Sequence, residues 1–98
     1  MPKKRQPRDI WQMTRRRVWE RAGGLCQYPD GPHPVTLEAC HIDHIVSGKQ
    51  GTNQLSNLRV LCRYHHVLRA DLRHRGMIAQ ALKDGVIPPN WRELVWEG

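Results

Sequence analysis

The residues between positions 40 and 66 are the ones best suited to metal and phosphate chemistry, holding two of the three cysteines and four of the six histidines. The segment opens with Cys40-His41-Ile42-Asp43-His44-Ile45 and crosses a polar, glycine-containing loop over 47–56. It closes with Asn57-Leu58-Arg59-Val60-Leu61-Cys62-Arg63-Tyr64-His65-His66. Thiolates and imidazoles are zinc ligands. A carboxylate beside an imidazole suits hydrolysis assisted by a divalent ion.

Cys62 and His65 form a C-x-x-H pair at the start of an expected helix, a spacing that lets both side chains reach one ion. Two ligands do not close a tetrahedral site. Cys26 and Cys40 are the remaining soft donors and would complete a Cys3His set. His33 or His41 stands as the replacement for Cys40. Such a site would tie the loop after the first helix to a strand pair and the second helix, supplying stability to a small core. The competing reading makes all three cysteines small buried hydrophobes.

Asp43, His44, Asn57 and His66 form a second constellation. Phosphodiester hydrolysis needs a base that works near neutrality, and histidine, with an unperturbed pKa of about 6.5, is suited to it. A carboxylate and a second imidazole can hold one divalent ion, and a neutral amide can orient an imidazole without adding charge. Successive residues of a strand point to opposite faces, so for Asp43 and His44 to act together the chain must bend or end its regular pairing there. These residues are equally compatible with one structural metal cluster or with surface histidines near a loop.

Several elements must position these groups. Asp9 is placed to cap a helix over 9–22, with Ile10, Thr14, Val18 and Ala22 on one face, Trp11 flanking them and Arg15, Arg16 and Arg17 around the other side. Gly23-Gly24 ends it. A proline-rich turn region over 27–34 follows Cys26. Residues 35–42 read as one short strand and 58–61 as a second, joined by the long loop as an open hairpin. Helices are expected from Arg63 to near Gly76 and from Met77 to Gly85. Pro88-Pro89 forces an extended stretch. Asn90 and Glu93 have capping-box spacing for a last turn over 91–96, whose Trp91 and Trp96 read as packing residues.

Ninety-eight residues suffice for one domain, and with 39% apolar residues and no Phe its core must be small. An odd number of cysteines among many histidines favours metal over disulfides. No apolar run is long enough to span a membrane, and the basic N-terminus lacks the apolar region of a secretory signal. A cytoplasmic protein with reduced thiols is therefore expected. The formal charge is +7, and residues 1–21 hold eight of the sixteen Lys and Arg against two acids. That imbalance implies a polyanionic partner, most simply nucleic acid, met by Lys3, Lys4 and Arg5 on a flexible arm and by Arg15, Arg16 and Arg17 on the helix.

The order and spacing of Asp43-His44-Ile45, Asn57-Leu58, Leu61-Cys62 and His65-His66 resemble the HNH endonucleases over roughly residues 26–75. The resemblance implies an α+β fold: a small ββα-metal core with a zinc-stabilised knuckle at 26–75, a basic arm and helix at 1–25, and a C-terminal helical extension at 76–98, together one nuclease domain. It implies that Asp43 and His66 hold the catalytic ion, that His44 is the general base, and that Asn57 orients His44. His41 matches an auxiliary histidine near phosphate or metal. The products would be a 5′-phosphate and a 3′-hydroxyl. Many zinc-containing relatives carry two C-x-x-C pairs. Here Pro29 and His65 stand where two of those cysteines would be, and Cys40 fits a variant with a cysteine just before the Asp.

The function expected from residues and resemblance together is a DNA endonuclease with a structural Zn²⁺ and a catalytic divalent ion. Mg²⁺ or Mn²⁺ leads, and Ni²⁺ or Zn²⁺ is compatible with the same donors. Contacts through phosphates imply low sequence specificity. Family habit suggests a small free-standing phage or prophage protein working beside a larger packaging or restriction partner. The alternative is a zinc-stabilised nucleic-acid-binding module without cleavage.

Overall fold

The computed structural model describes residues 6–46, 52–70 and 75–97, which fall into two compact units, 1–62 and 63–98. Lys3, Lys4, Arg5 and part of the 47–56 loop lie outside the described residues.

The first unit is built on helix α1, Arg8–Arg21. Pro7, not Asp9, precedes its first turn, and Asp9 lies inside that turn, where a carboxylate favours the positive end of the helix dipole. Of the expected stripe, Thr14 and Val18 are buried while Ile10 is exposed. Val18 packs with Cys40, Leu58 and Val60, and Trp11, Trp19, Ala22, Val35, Leu37 and Ile42 surround them. Truncating Leu58 to Ala in such a cluster would cost about 2–5 kcal/mol. Gly23 and Gly24 end the helix with φ of 66° and 72°, a region that disfavours a Cβ. At Gly24 an added Cβ would also stand 3.2 Å from the Trp19 ring.

Two antiparallel strand pairs follow. β1, Leu25–Cys26, pairs with β2, His33–Pro34. β3, His41–His44, pairs with β4, Leu58–Leu61, in the register His41 with Leu61, Ile42 with Val60, Asp43 with Arg59 and His44 with Leu58. The strand expected over 35–42 thus begins only at His41. Residues 37–39 form a turn instead. Its reason is local bonding: Cys40 N donates to Thr36 O at 2.9 Å, and Ala39 N donates to Thr36 Oγ1 at 3.2 Å. Arg15 fastens this turn by donating to Leu37 O at 2.9 Å and Cys40 O at 3.0 Å. β1 is tied to β4 through Gln27, whose N donates to Val60 O at 2.8 Å while its Oε1 accepts from Val60 N at 2.9 Å.

The second unit opens with α2, Arg63–Leu68, and continues with α3, Arg75–Lys83, and a 3-10 turn, Trp91–Leu94. The helix expected to run to Gly76 stops at Leu68, and Gly76 lies in the first turn of α3. The early stop has a visible cause. Arg69 forms a parallel bridge with Trp96, Trp96 N donates to Leu68 O at 3.0 Å, and Ala70 N donates to Trp96 O at 2.9 Å. The returning tail thus takes backbone groups that a longer helix would use itself. Trp96 is buried, and its Nε1 donates to His65 O at 2.7 Å. Gly85 closes α3 with φ of 72°. Asn90 makes no capping bond to the backbone; its Nδ2 donates to Glu93 Oε2 at 3.1 Å. Arg63 pairs with Asp84 at 2.6 Å, and the bonds from Arg63 and Gln80 hold the Asp84 carboxyl below its ordinary pKa. Among the described residues, no helix is long and apolar enough to cross a membrane.

Candidate functional site

The three cysteines are not disulfide-bonded. The sulfurs of Cys26 and Cys62 and one ring nitrogen each of His33 and His65 lie within 4.8 Å of one another. A tetrahedral ion with bonds of about 2.0–2.3 Å holds its ligand atoms roughly 3.3–3.8 Å apart, so two thiolates and two imidazoles this close fit zinc with little adjustment. β1 supplies Cys26, β2 supplies His33, Cys62 follows β4, and His65 stands one helical turn beyond Cys62. Two supporting bonds suit ligation. His33 Nδ1 lies 2.9 Å from Gly31 O, and because a carbonyl only accepts, Nδ1 carries the proton and Nε2 the lone pair. Cys62 N donates to Cys26 Sγ at 3.2 Å, which holds that sulfur against the start of the segment carrying Cys62 and His65.

His33 thus takes the place expected of Cys40. Cys40 is only 3% exposed and lies in the apolar cluster with Val18, Leu58 and Val60. Its thiol donates to Leu37 O at 3.2 Å. Burial pushes that thiol above its ordinary pKa, against the lowering effect of the Arg15 guanidinium. For Cys40 the small-buried-hydrophobe reading describes the structure.

The strand pair places the second constellation. β3 keeps its pairing through His44 and ends there: Ile45 N still donates to Asn57 O at 2.9 Å, and the chain bends over Ile45 and Val46, so the regular pairing ends directly after His44. Alternation therefore sets Ile42 and His44 on the face that carries Leu58 and Val60, with His41 and Asp43 on the opposite face beside Arg59 and Leu61. Asp43 is 1% exposed, and its Oδ2 accepts from Arg59 Nε at 2.8 Å. His66 lies in α2 of the second unit.

Asn57 works on the backbone that leaves β3. Its Oδ1 accepts from Val46 N at 2.8 Å, and its Nδ2 donates to Val46 O at 3.0 Å and Thr52 O at 2.8 Å. It pins the chain two residues after His44. The His44 ring itself meets two residues not anticipated for the site. Nε2 lies 2.8 Å from Asn53 Oδ1, and the ring stacks on Trp11 with planes 2° apart and centroids 6.2 Å apart. In the sequence Asn53 looks like any polar loop residue, and Trp11 is marked only as flanking the helix stripe.

Of the arginines expected on DNA, Arg15 is spent on the 36–40 turn, whereas Arg16 and Arg17 are exposed. Arg16 and Glu20 are 3.9 Å apart on the helix surface, a pair worth about 0.5 kcal/mol or less.

A short antiparallel strand pair leading into a helix, with a Cys/His group that can hold zinc, defines the ββα-metal class of small α+β proteins. Residues 25–70, just under half of the chain, match the family model of the HNH endonuclease. Over those residues the chain is similar to the HNH endonucleases. No match was found among curated proteins or among solved structures.

Proposed function

We propose that this chain is a metal-dependent DNA endonuclease with His44 as general base. The observation that carries the reading is the end of β3 within the matched residues 25–70. There His44 directly follows the buried Asp43, and Asn57 ties down the chain that leaves the strand. The imidazole takes a proton from a water as its oxygen attacks phosphorus. The bond from phosphorus to the 3′ oxygen breaks, solvent protonates the departing oxygen, and the products are a 5′-phosphate and a 3′-hydroxyl.

Asp43 and His66 are the residues proposed to hold the catalytic ion. Oxygen and imidazole donors suit Mg²⁺ or Mn²⁺ and also admit Ni²⁺ or Zn²⁺. A divalent ion bound there supplies charge neutralisation on the phosphate. His41 is one strand alternation from Asp43, on the same face, and is proposed as an auxiliary phosphate contact. Cys26, His33, Cys62 and His65 hold structural zinc, which requires reduced thiols and so a reducing compartment such as the cytoplasm.

DNA is the proposed substrate because of the +7 charge and the exposed Arg16 and Arg17 on α1. Contacts to phosphates read no bases, so sequence specificity is low. One observation favours the second reading, a binding module without cleavage: Asp43 already has a counter-ion in Arg59. Incubating zinc-loaded protein with supercoiled plasmid in Mg²⁺, Mn²⁺ or EDTA separates the two. Nicking or linearisation that EDTA abolishes is the expected result. Plasmid that is retarded but intact in all three would replace nuclease with binding module.

A further inference from the structure

We propose that Asn53 and Trp11 are positioning residues for His44, Asn53 fixing its tautomer and Trp11 fixing its ring plane. The inference rests on the reading of His44 as the base. Asn53 Oδ1 lies 2.8 Å from His44 Nε2. An amide oxygen only accepts, so the contact assigns the proton to Nε2 and the lone pair of the neutral ring to Nδ1. A base must present a lone pair, and the contact determines which nitrogen presents it.

The second observation is independent of the first. The Trp11 indole lies parallel to the imidazole within 2° at a centroid distance of 6.2 Å, the range of an offset stack. Trp11 is itself held by packing against the Val18, Cys40, Leu58 and Val60 cluster. The ring is therefore fixed in plane by the helix and in rotation by the loop, all three residues lying in the first unit.

The arrangement divides the work of two asparagines. Asn57 holds the backbone after the strand, through Val46 and Thr52. Asn53, four residues earlier, reaches the ring. It also gives α1 a role in the reaction, although that helix lies outside the matched residues 25–70.

The test uses the full zinc-loaded chain and reads both nitrogen-15 shifts of the His44 ring, assigned with His44→Ala, and plasmid cleavage in Mn²⁺. The wild type is expected to show the Nε2–H tautomer. Asn53→Ala should mix the tautomers and lower kcat roughly tenfold or more with KM little changed. Asn53→Asp, which keeps the acceptor oxygen, should retain the Nε2–H signature. Trp11→Phe should keep kcat near wild type, and Trp11→Leu, which keeps an apolar side chain without the ring, should lower it. An unmixed Nε2–H tautomer in Asn53→Ala would overturn the role of Asn53, and wild-type kcat in Trp11→Leu would overturn that of Trp11. A wild type that does not cleave would end the nuclease reading, while the tautomer would still decide whether Asn53 holds the ring.

Discussion

Arg59 Nε donates to Asp43 Oδ2 at 2.8 Å across the paired strands β3 and β4, and the carboxylate is all but sealed from solvent. A buried carboxylate stripped of its cation is costly, so Arg59→Leu should destabilise the protein by about 3–5 kcal/mol. Asp43→Asn combined with Arg59→Leu should cost less than the sum of the two single changes. Urea titrations of the four proteins give the coupling directly, and strictly additive losses would show that the pair contributes nothing jointly.

Metal content should follow the Cys26, His33, Cys62 and His65 group. The wild type is expected to carry one zinc in that group. Cys26→Ala, His33→Ala, Cys62→Ala and His65→Ala should each lower zinc occupancy and the melting temperature, and Cys40→Ala should leave occupancy at the wild-type level. Chelation of the zinc should loosen the fold. Elemental analysis after gel filtration reads the occupancy. Full zinc in His33→Ala with loss in Cys40→Ala would reinstate the sequence-based set.

Cys40 should impose an alkaline limit on stability. Its folded pKa is raised above the ordinary thiol value of 9.0 by burial. A group shifted this way contributes stability that is complete below its unfolded pKa and is lost as pH rises through the folded one. The urea midpoint of the wild type should therefore fall as pH climbs past about 9, while Cys40→Ala, starting lower because of its cavity, should fall less steeply. Parallel curves would contradict the assignment.

The arginines of α1 should separate by function. Arg15 hydrogen-bonds Leu37 O and Cys40 O, so Arg15→Ala should cost about 1–3 kcal/mol of stability. Arg16→Ala and Arg17→Ala should leave stability within about 0.5 kcal/mol. Each should weaken DNA binding equally for all sequences and reduce the salt slope by about one. Fluorescence anisotropy at several salt concentrations measures both quantities.

The parts of this fold that follow from local rules are legible in the sequence. Gly23-Gly24 ends a helix, Leu58–Leu61 is a strand, and Cys62 with His65 has ligand spacing. What is not legible depends on where distant segments meet. Nothing local distinguishes Cys40 as core from Cys40 as ligand until Val18, Leu58 and Val60 surround it. Arg15 looks like its neighbours Arg16 and Arg17 until the Thr36 turn lies beneath it. Likewise α2 stops at Leu68 because a tail nearly thirty residues later claims its carbonyl. Asn53 and Trp11 become site residues only because the helix and the loop converge on one imidazole.

The measurement that bears most directly on the central claim is plasmid cleavage by His44→Ala beside the wild type, at equal zinc content and equal DNA affinity. Loss of the imidazole base should reduce the divalent-ion-dependent rate by about a hundredfold or more while DNA binding is retained. Cleavage at the wild-type rate by His44→Ala would contradict the account, because the base and its supporting residues would then have no part in the reaction.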